Sequence, residues 1–303
     1  MKALVLPDTT GPGALRFEDV DEPQAIDGMV VVDVKAAALG FVDYLITRGE
    51  YQIRPPLPFV PGTEVAGTVD GRRVAATVAF GGLAERALAP GFAVFDMPDA
   101  MTFAQGAAMV TNYQTAHLGL KRRGRLQPGE TVLVLGAAGG VGVASIQVAK
   151  ALGAGRVVGV VSSEERAAVA RAAGADEVHL ADAEWEAADV VVDPVGGEAF
   201  RKALRCLRPE GRLLVVGFAS GAIPELKVNK LLLGHTDVIG VNYGGMLGVD
   251  PAFPQAAWAD LRGWFEQGLL TPAGITEHPI EDTAQVLEAF GERRITGKPV
   301  VLL

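Results

Sequence analysis

One cysteine, Cys206, in 303 residues excludes an internal disulfide and any metal site built from several thiolates. Histidine is nearly as sparse: His117, His179, His235 and His278 are scattered and show no metal-ligand spacing. No apolar run approaches the roughly 18 residues of a membrane span. The opening "MKALVLPD" is broken at Pro7, too early for a signal-peptide core, so a cytoplasmic protein is expected. Cations are in deficit. A net charge of -9 argues against the concentrated basic surface that a nucleic-acid partner requires, and the one basic cluster, "KRRGR" at 121–125, reads as a solvated helix end.

What is abundant is apolar residues, at 49%, and glycine, with 38. Residues 2 to about 95 carry short stretches such as "KALVL", "ALRFEDV", "MVVVDVKAAAL", "EVAGTVDG", "RRVAATVAF" and "LAERALAP", several alternating with period two, which predicts a β-rich domain resembling a partly closed barrel. Helical spacing appears at about 102–124. From 130 on, strands alternate with helices: "TVLVLG", "RVVGVV", "EVHL", "DVVVD", "RLLVVG" and "DVIGV" are six strands, joined by helices such as "GGVGVASIQVAKALGA", "SEERAAVARAAG" and "EAFRKALRCLR". That alternation predicts an α/β domain with a doubly wound parallel sheet. The third and fourth strands are joined only by "ADAEWEAA", and "GVNYGG" at 240–245 reads as a last edge strand. The segment from about 247 returns to the first domain, ending in the strand "GKPVVLL".

The turn "LGAAGGVG" (135–142) lies between a predicted strand and a predicted helix, the setting of a dinucleotide-binding loop. Ala137 stands at the first glycine place, Gly139 lets backbone approach a pyrophosphate, and Gly142 allows close helix–strand packing. The second strand ends at Val161 before "SSEER", with no acid placed to accept from a ribose 2'-hydroxyl. Ser162, Ser163 and Arg166 instead suit a 2'-phosphate, which favours NADPH. Ser162 with Glu165 also fits a helix capping box, and the two readings are compatible.

On this loop together with "GEYQIRPPLPFVPGTEVAGTV", "GGLAERALAP", "NYQTAHLGL", "DVVVDPVGGEAF", "GRLLVVGFASG" and "GKPVVLL", the whole chain resembles the zinc-free quinone oxidoreductase (zeta-crystallin-like) branch of the medium-chain dehydrogenase/reductase superfamily. The resemblance implies a GroES-like domain (1–109 and 247–303), a Rossmann NADPH-binding domain (110–246) and a cleft between them. By similarity Ala138, Gly139, Gly140 and Val141 meet the pyrophosphate, and Ser162, Ser163 and Arg166 surround the 2'-phosphate. Thr115, Gly217, Phe218, Val241 and Asn242 lie along the ribose and nicotinamide, and Tyr51 projects toward the nicotinamide. Zinc-dependent relatives carry a Cys and a His as ligands where this chain has Gly40 and Thr63, so no metal is expected. Many relatives have Asn at the place of Gly40. A homodimer is implied by the resemblance alone.

Without a Lewis acid the acceptor must itself be electrophilic, a quinone or an α,β-unsaturated carbonyl. No tyrosine is followed four places on by lysine: Tyr44, Tyr51, Tyr113 and Tyr243 precede Arg48, Pro55, His117 and Leu247. Tyr51 is the catalytic candidate, as donor to the acceptor oxygen or as a stacking wall; packing against the coenzyme and anchoring its loop are the alternative roles. An NADPH-dependent quinone reductase is the leading expectation. An enone or enoyl reductase, and a coenzyme-binding protein with little turnover, are the alternatives.

Overall fold

The computed structural model describes residues 1–303. The chain forms two compact units, one of Met1–Thr111, Pro254–Trp258 and Ile275–Leu303, the other of Asn112–Phe253 and Ala259–Gly274.

In the first unit the alternating stretches become antiparallel strands. Met29–Ala38 is the hub, pairing with Glu64–Val69, Arg86–Pro90 and the C-terminal Lys298–Leu302. The sheet runs on through Arg72–Thr77 to Val94–Asp96 at one end, and through Lys298–Leu302 to Ile275–Pro279 at the other, this last pair being parallel. Its core is aliphatic: Val32, Val34, Leu39, Val65, Val74, Leu83, Leu287 and Val301 are buried together. Lys2–Val5 and Arg16–Asp19 form a separate hairpin, tied to the larger sheet's loops by the bridges Ala3–Ala84 and Leu6–Phe59. The helix Phe41–Thr47 starts at Gly40, where the Asp43 side chain accepts the Gly40 N–H at 2.8 Å and satisfies one of the donors that a helix start leaves over.

The second unit holds a six-stranded, fully parallel sheet in the order Glu177–Leu180, Arg156–Val161, Thr131–Leu135, Ala188–Asp193, Leu207–Val215, Asp237–Gly240. The central strands are made mainly of Val and Leu, with no polar alternation inside them, because helices cover both faces. Strand order reverses between Thr131–Leu135 and Ala188–Asp193, the switch point at which such sheets bind ligands. The short "ADAEWEAA" crossover works without a helix because Trp185 covers the sheet in its place. Its ring is buried in the core, Nε1 donates to the Leu180 carbonyl at 3.3 Å, and the Lys202 ammonium lies 4.1 Å from the ring centroid.

Two expectations change. "GVNYGG" is not a strand: pairing stops at Gly240 and Tyr243–Val249 is a helix, capped by Asn242 Oδ1 accepting the Gly245 N–H at 2.9 Å. The return from the second unit comes later than residue 247 and is divided. In the helix Phe253–Glu266, Trp258 stacks on Phe95 at 5.1 Å within the first unit, whereas Asp260 bonds His117 within the second.

Candidate active site

Strand Thr131–Leu135 ends at Gly136, whose φ of 58° is the left-handed conformation that glycine alone adopts without strain. The turn is therefore made one residue before the first place of the glycine pattern, which explains why Ala137 is tolerated there. Ala137 is buried, its N–H donates to the Val160 carbonyl at 3.0 Å, and its methyl fills the space beside Gly159. Gly139 N–H then closes the turn on Gly136 O at 2.9 Å, and the helix Gly140–Ala151 begins. A Cβ on Gly142 would stand 2.2 Å from Gly136 O, so this helix packs against its strand only with glycine there. The helix has no side-chain cap at Gly139. Its first-turn N–H groups and the positive end of its dipole are thus left for an anion, as the pyrophosphate of a dinucleotide requires.

At the end of the neighbouring strand the capping residue is Ser163, not Ser162: Ser163 Oγ accepts the Arg166 N–H at 3.4 Å, and Glu165 takes no part in a capping box. Ser162 lies one place too early to cap the helix, and it is exposed. Glu164 and Glu165 are also exposed, while Arg166 is half-buried.

The remaining residues expected at the coenzyme site follow the same edge. Gly217 and Phe218 come after Leu207–Val215, and Val241 and Asn242 after Asp237–Gly240. Thr115 is buried in the helix Asn112–His117, and Gly119, one turn further on, packs against Val241. Sequence reasoning missed Asp193, the fully buried last residue of its strand. Its Oδ1 accepts the Val195 and Gly196 N–H groups, each at 2.8 Å, and its carbonyl accepts the Val216 N–H at 2.9 Å, stitching two of the loops together. Burial pushes its carboxyl up, against the pull of those two N–H groups. Its position in "DPVGG", at a strand end on the ligand edge, was the available signal.

In the first unit, Gly40 and Thr63 stand where zinc-dependent relatives have ligands. No three His, Cys, Asp or Glu side chains gather as a metal ion requires, and the cation beside Glu64 is Lys298, at 2.6 Å. Both members of that pair are buried, and Glu64 Oε2 also accepts the Thr111 N–H at 3.1 Å. These residues do not fit a catalytic zinc. Asp43 is buried beside the pair. Burial, reinforced by the neighbouring Glu64 and opposed by Lys298, pushes its carboxyl up to about 7. Tyr51 is half-buried in the segment after the helix Phe41–Thr47, and burial together with the charge of Asp43 pushes its phenol up, so it holds its proton at neutral pH.

The family models agree with this architecture: "Alcohol dehydrogenase GroES-like domain" matches residues 26–81 and "Zinc-binding dehydrogenase" matches residues 140–260. Mouse quinone oxidoreductase is 32% identical, covering 100% of this chain and 98% of that protein. A Nematostella vectensis quinone oxidoreductase-like protein 2 homolog is 33% identical, covering 90% of this chain and 81% of the relative. The solved quinone oxidoreductase of Thermus thermophilus, also solved in complex with NADPH, superposes with a TM-score of 0.87 at 36% identity over 100% of both chains. With its GroES-like and Rossmann units and relatives matched along nearly their whole length, the chain belongs to the quinone oxidoreductase group of the medium-chain dehydrogenase/reductase superfamily.

Proposed function

We propose that this protein is a zinc-independent, NADPH-dependent reductase of quinones. The observation that carries the reading is the residue set around Gly40. With no ligand side chain at 40 or 63 to hold a Lewis acid, and Lys298 paired to Glu64, the chain suits an acceptor that needs no metal to become electrophilic.

NADPH, when bound, supplies the reducing equivalents. Ala138, Gly139, Gly140 and Val141 hold its pyrophosphate at the uncapped helix start, and Ser162, Ser163 and Arg166 take the 2'-phosphate. Thr115, Gly217, Phe218, Val241 and Asn242 line the ribose and nicotinamide, and Asp193 fixes the Val195–Gly196 turn beside Phe218. Tyr51, protonated at neutral pH, donates to the acceptor oxygen or stacks on its ring. The protein's contribution is orientation of the two reactants.

The test follows NADPH oxidation, with NADH in parallel, against an ortho-quinone, a para-quinone and an enone in the presence of a chelator. Fast quinone turnover with NADPH is expected and unaffected by the chelator. Turnover of the enone alone would replace this reading with an alkene reductase. Tight NADPH binding without turnover of any acceptor would replace it with a coenzyme-binding role.

A homodimer in the cytoplasm completes the proposal. The strand Asp237–Gly240 is an open sheet edge, and Ile223, Val228, Leu232 and Leu233, all in the segment leading to it, are more than 70% exposed, as expected of a face that a second copy covers. The single Cys206 is free, in keeping with a reducing compartment.

A further inference from the structure

The basic run at 121–125, which in sequence reads as a solvated helix end, is exposed, yet each of its cations has a partner within the second unit. Lys121 Nζ lies 2.5 Å from Asp260 Oδ2, Arg122 Nη1 lies 2.7 Å from Asp250 Oδ2, and Arg125 Nη2 lies 3.5 Å from Asp237 Oδ2. Arg123 Nε donates to the Gly240 carbonyl at 3.2 Å. The backbone that presents these side chains is unusual. Leu118–Arg123 is a π-helix, and the Gly124 N–H donates to Gly119 O, five residues back, at 2.6 Å. Such wide turns are rare and are found frequently at functional sites. The exit from the turn is fastened to the sheet by Arg212, buried on the strand Leu207–Val215. Its guanidinium donates to the Gly124 carbonyl at 2.9 Å and the Arg125 carbonyl at 3.4 Å, and is itself held by both oxygens of Glu130, at 2.8 and 2.7 Å.

The two adjacent arginines reach the two ends of one short segment. Arg123 binds Gly240, the last residue of the edge strand Asp237–Gly240. Arg122 binds Asp250, where the helix Tyr243–Val249 ends, and its guanidinium lies 5.4 Å from the centroid of the Phe253 ring. That contact holds the Asp250 carboxyl below the usual carboxylate range. Val241 and Asn242 lie between the two points. Gly119, in the same π-helix, packs on Val241: a Cβ there would stand 3.6 Å from Val241 Cγ1. The strand has a neighbour on one side only, so the place of the residues that follow it depends on what holds the ends of the segment.

We propose that Arg122 and Arg123 are positioning residues for the nicotinamide half of the coenzyme, clamping 240–250 at both ends and so fixing where Val241 and Asn242 stand. The proposal rests on the NADPH reading of the ligand edge. Neither arginine touches the coenzyme; each acts through the backbone it holds. Exposed ion pairs of this kind contribute little to global stability. Their effect is local: a segment of eleven residues held at both ends and supported at Val241 keeps one place, whereas a segment released at both ends can shift along the open edge.

The test compares, by calorimetry, binding of NADPH with binding of adenosine 2',5'-bisphosphate, which keeps the adenosine end of the coenzyme and lacks the nicotinamide riboside. The Arg122→Gln, Arg123→Gln double variant is expected to bind NADPH about 5-fold or more weakly, the lower end of coupling between separate sites, and the bisphosphate as the wild type does. Its melting temperature should be unchanged. Fluorescence anisotropy of the dihydronicotinamide at saturating NADPH should fall in the same variant, because the ring is then held less firmly. Arg122→Lys, which keeps the charge facing Asp250, should retain most of the affinity. Asp250→Asn approaches the contact from its other side, and combined with Arg122→Gln it should cost no more than Arg122→Gln alone, as for two groups that act through one contact. An equal loss for both ligands, no loss for NADPH, or losses that multiply in the Arg122 and Asp250 pair overturn the proposal while leaving the coenzyme reading intact. Wild-type protein that binds neither ligand overturns both.

Discussion

A carboxyl that keeps its proton to about pH 7 when folded and releases it near 3.8 when unfolded makes stability depend on pH, and Asp43 is such a group. Between those values the folded chain holds a proton that the unfolded chain has lost. Stability therefore falls as pH rises through the interval and levels off above it. At 1.36 kcal/mol per pKa unit the whole effect is about 4 kcal/mol, of which about 3 kcal/mol falls between pH 5 and pH 8. Asp43→Asn cannot titrate, so its stability curve should lack this decline. Asp193, also raised, adds to the decline, while His117, lowered by burial, opposes it; both lie in the second unit and cancel when the two curves are subtracted. The assay is urea unfolding at steps from pH 5 to pH 8 in a Trp185→Phe, Trp264→Phe background. Of the three tryptophans this leaves Trp258, which stacks on Phe95 in the same unit as Asp43. Parallel curves for the two proteins would show that Asp43 is ionised throughout, and would refute the account of Asp43 as an acid kept neutral by burial beside the Glu64–Lys298 pair.

The other predictions concern the second unit. Gly142→Ala sets a methyl 2.2 Å from Gly136 O and 2.7 Å from Ala137 Cα, both backbone atoms, so the coenzyme unit should lose several kcal/mol, at least the ~1–3 kcal/mol typical of overpacking, and with it NADPH binding by calorimetry. Arg166→Ala should weaken NADPH binding about 10- to 100-fold and leave NADH unchanged, the loss of one charge-assisted contact of about 1.5–3 kcal/mol; equal losses for both coenzymes would remove Arg166 from the phosphate site. Leu232→Glu with Leu233→Lys, at side chains 75% and 77% exposed, should convert a dimer to a monomer in sedimentation without altering the melting of the isolated subunit.

Much of the fold was legible because its signals are local. Each of the six parallel strands is a short β-branched or leucine run bounded by turn residues, and the texture change near residue 130 separates the α/β unit from the β-rich one. Errors fell where tertiary context decides. "GVNYGG" has strand-like neighbours, yet Asn242 supplies a cap and the chain turns into a helix. Phe253–Glu266 has apolar residues directed to two cores, and periodicity cannot tell which core each side chain joins. At the glycine turn the pattern directed attention to Ala137, but the positive φ belongs to Gly136, because the demand is set by backbone direction and not by motif position.

The residues proposed for the coenzyme, Thr115 apart, could be picked out for the same reason: each group follows its own strand, so a strand end in sequence is a place on one edge of the sheet. The Asp43, Glu64 and Lys298 group has no such local signature. Glu64 and Lys298 are 234 residues apart and meet only because the C-terminal strand is added to the hub strand Met29–Ala38, which also pairs with Glu64–Val69. Asp43 reads locally as an acidic residue in a helix's first turn, a role it does fill through the Gly40 N–H. Only the structure shows that this helix start is placed over a buried ion pair, where a second negative charge is costly and a carboxylic acid is not. The absent side chain at position 40, which in sequence is merely a lost ligand or a lost asparagine, then acquires a physical meaning: a Cβ there would touch Lys298, Asp43 and Glu64 at 3.5–3.7 Å, all three at once.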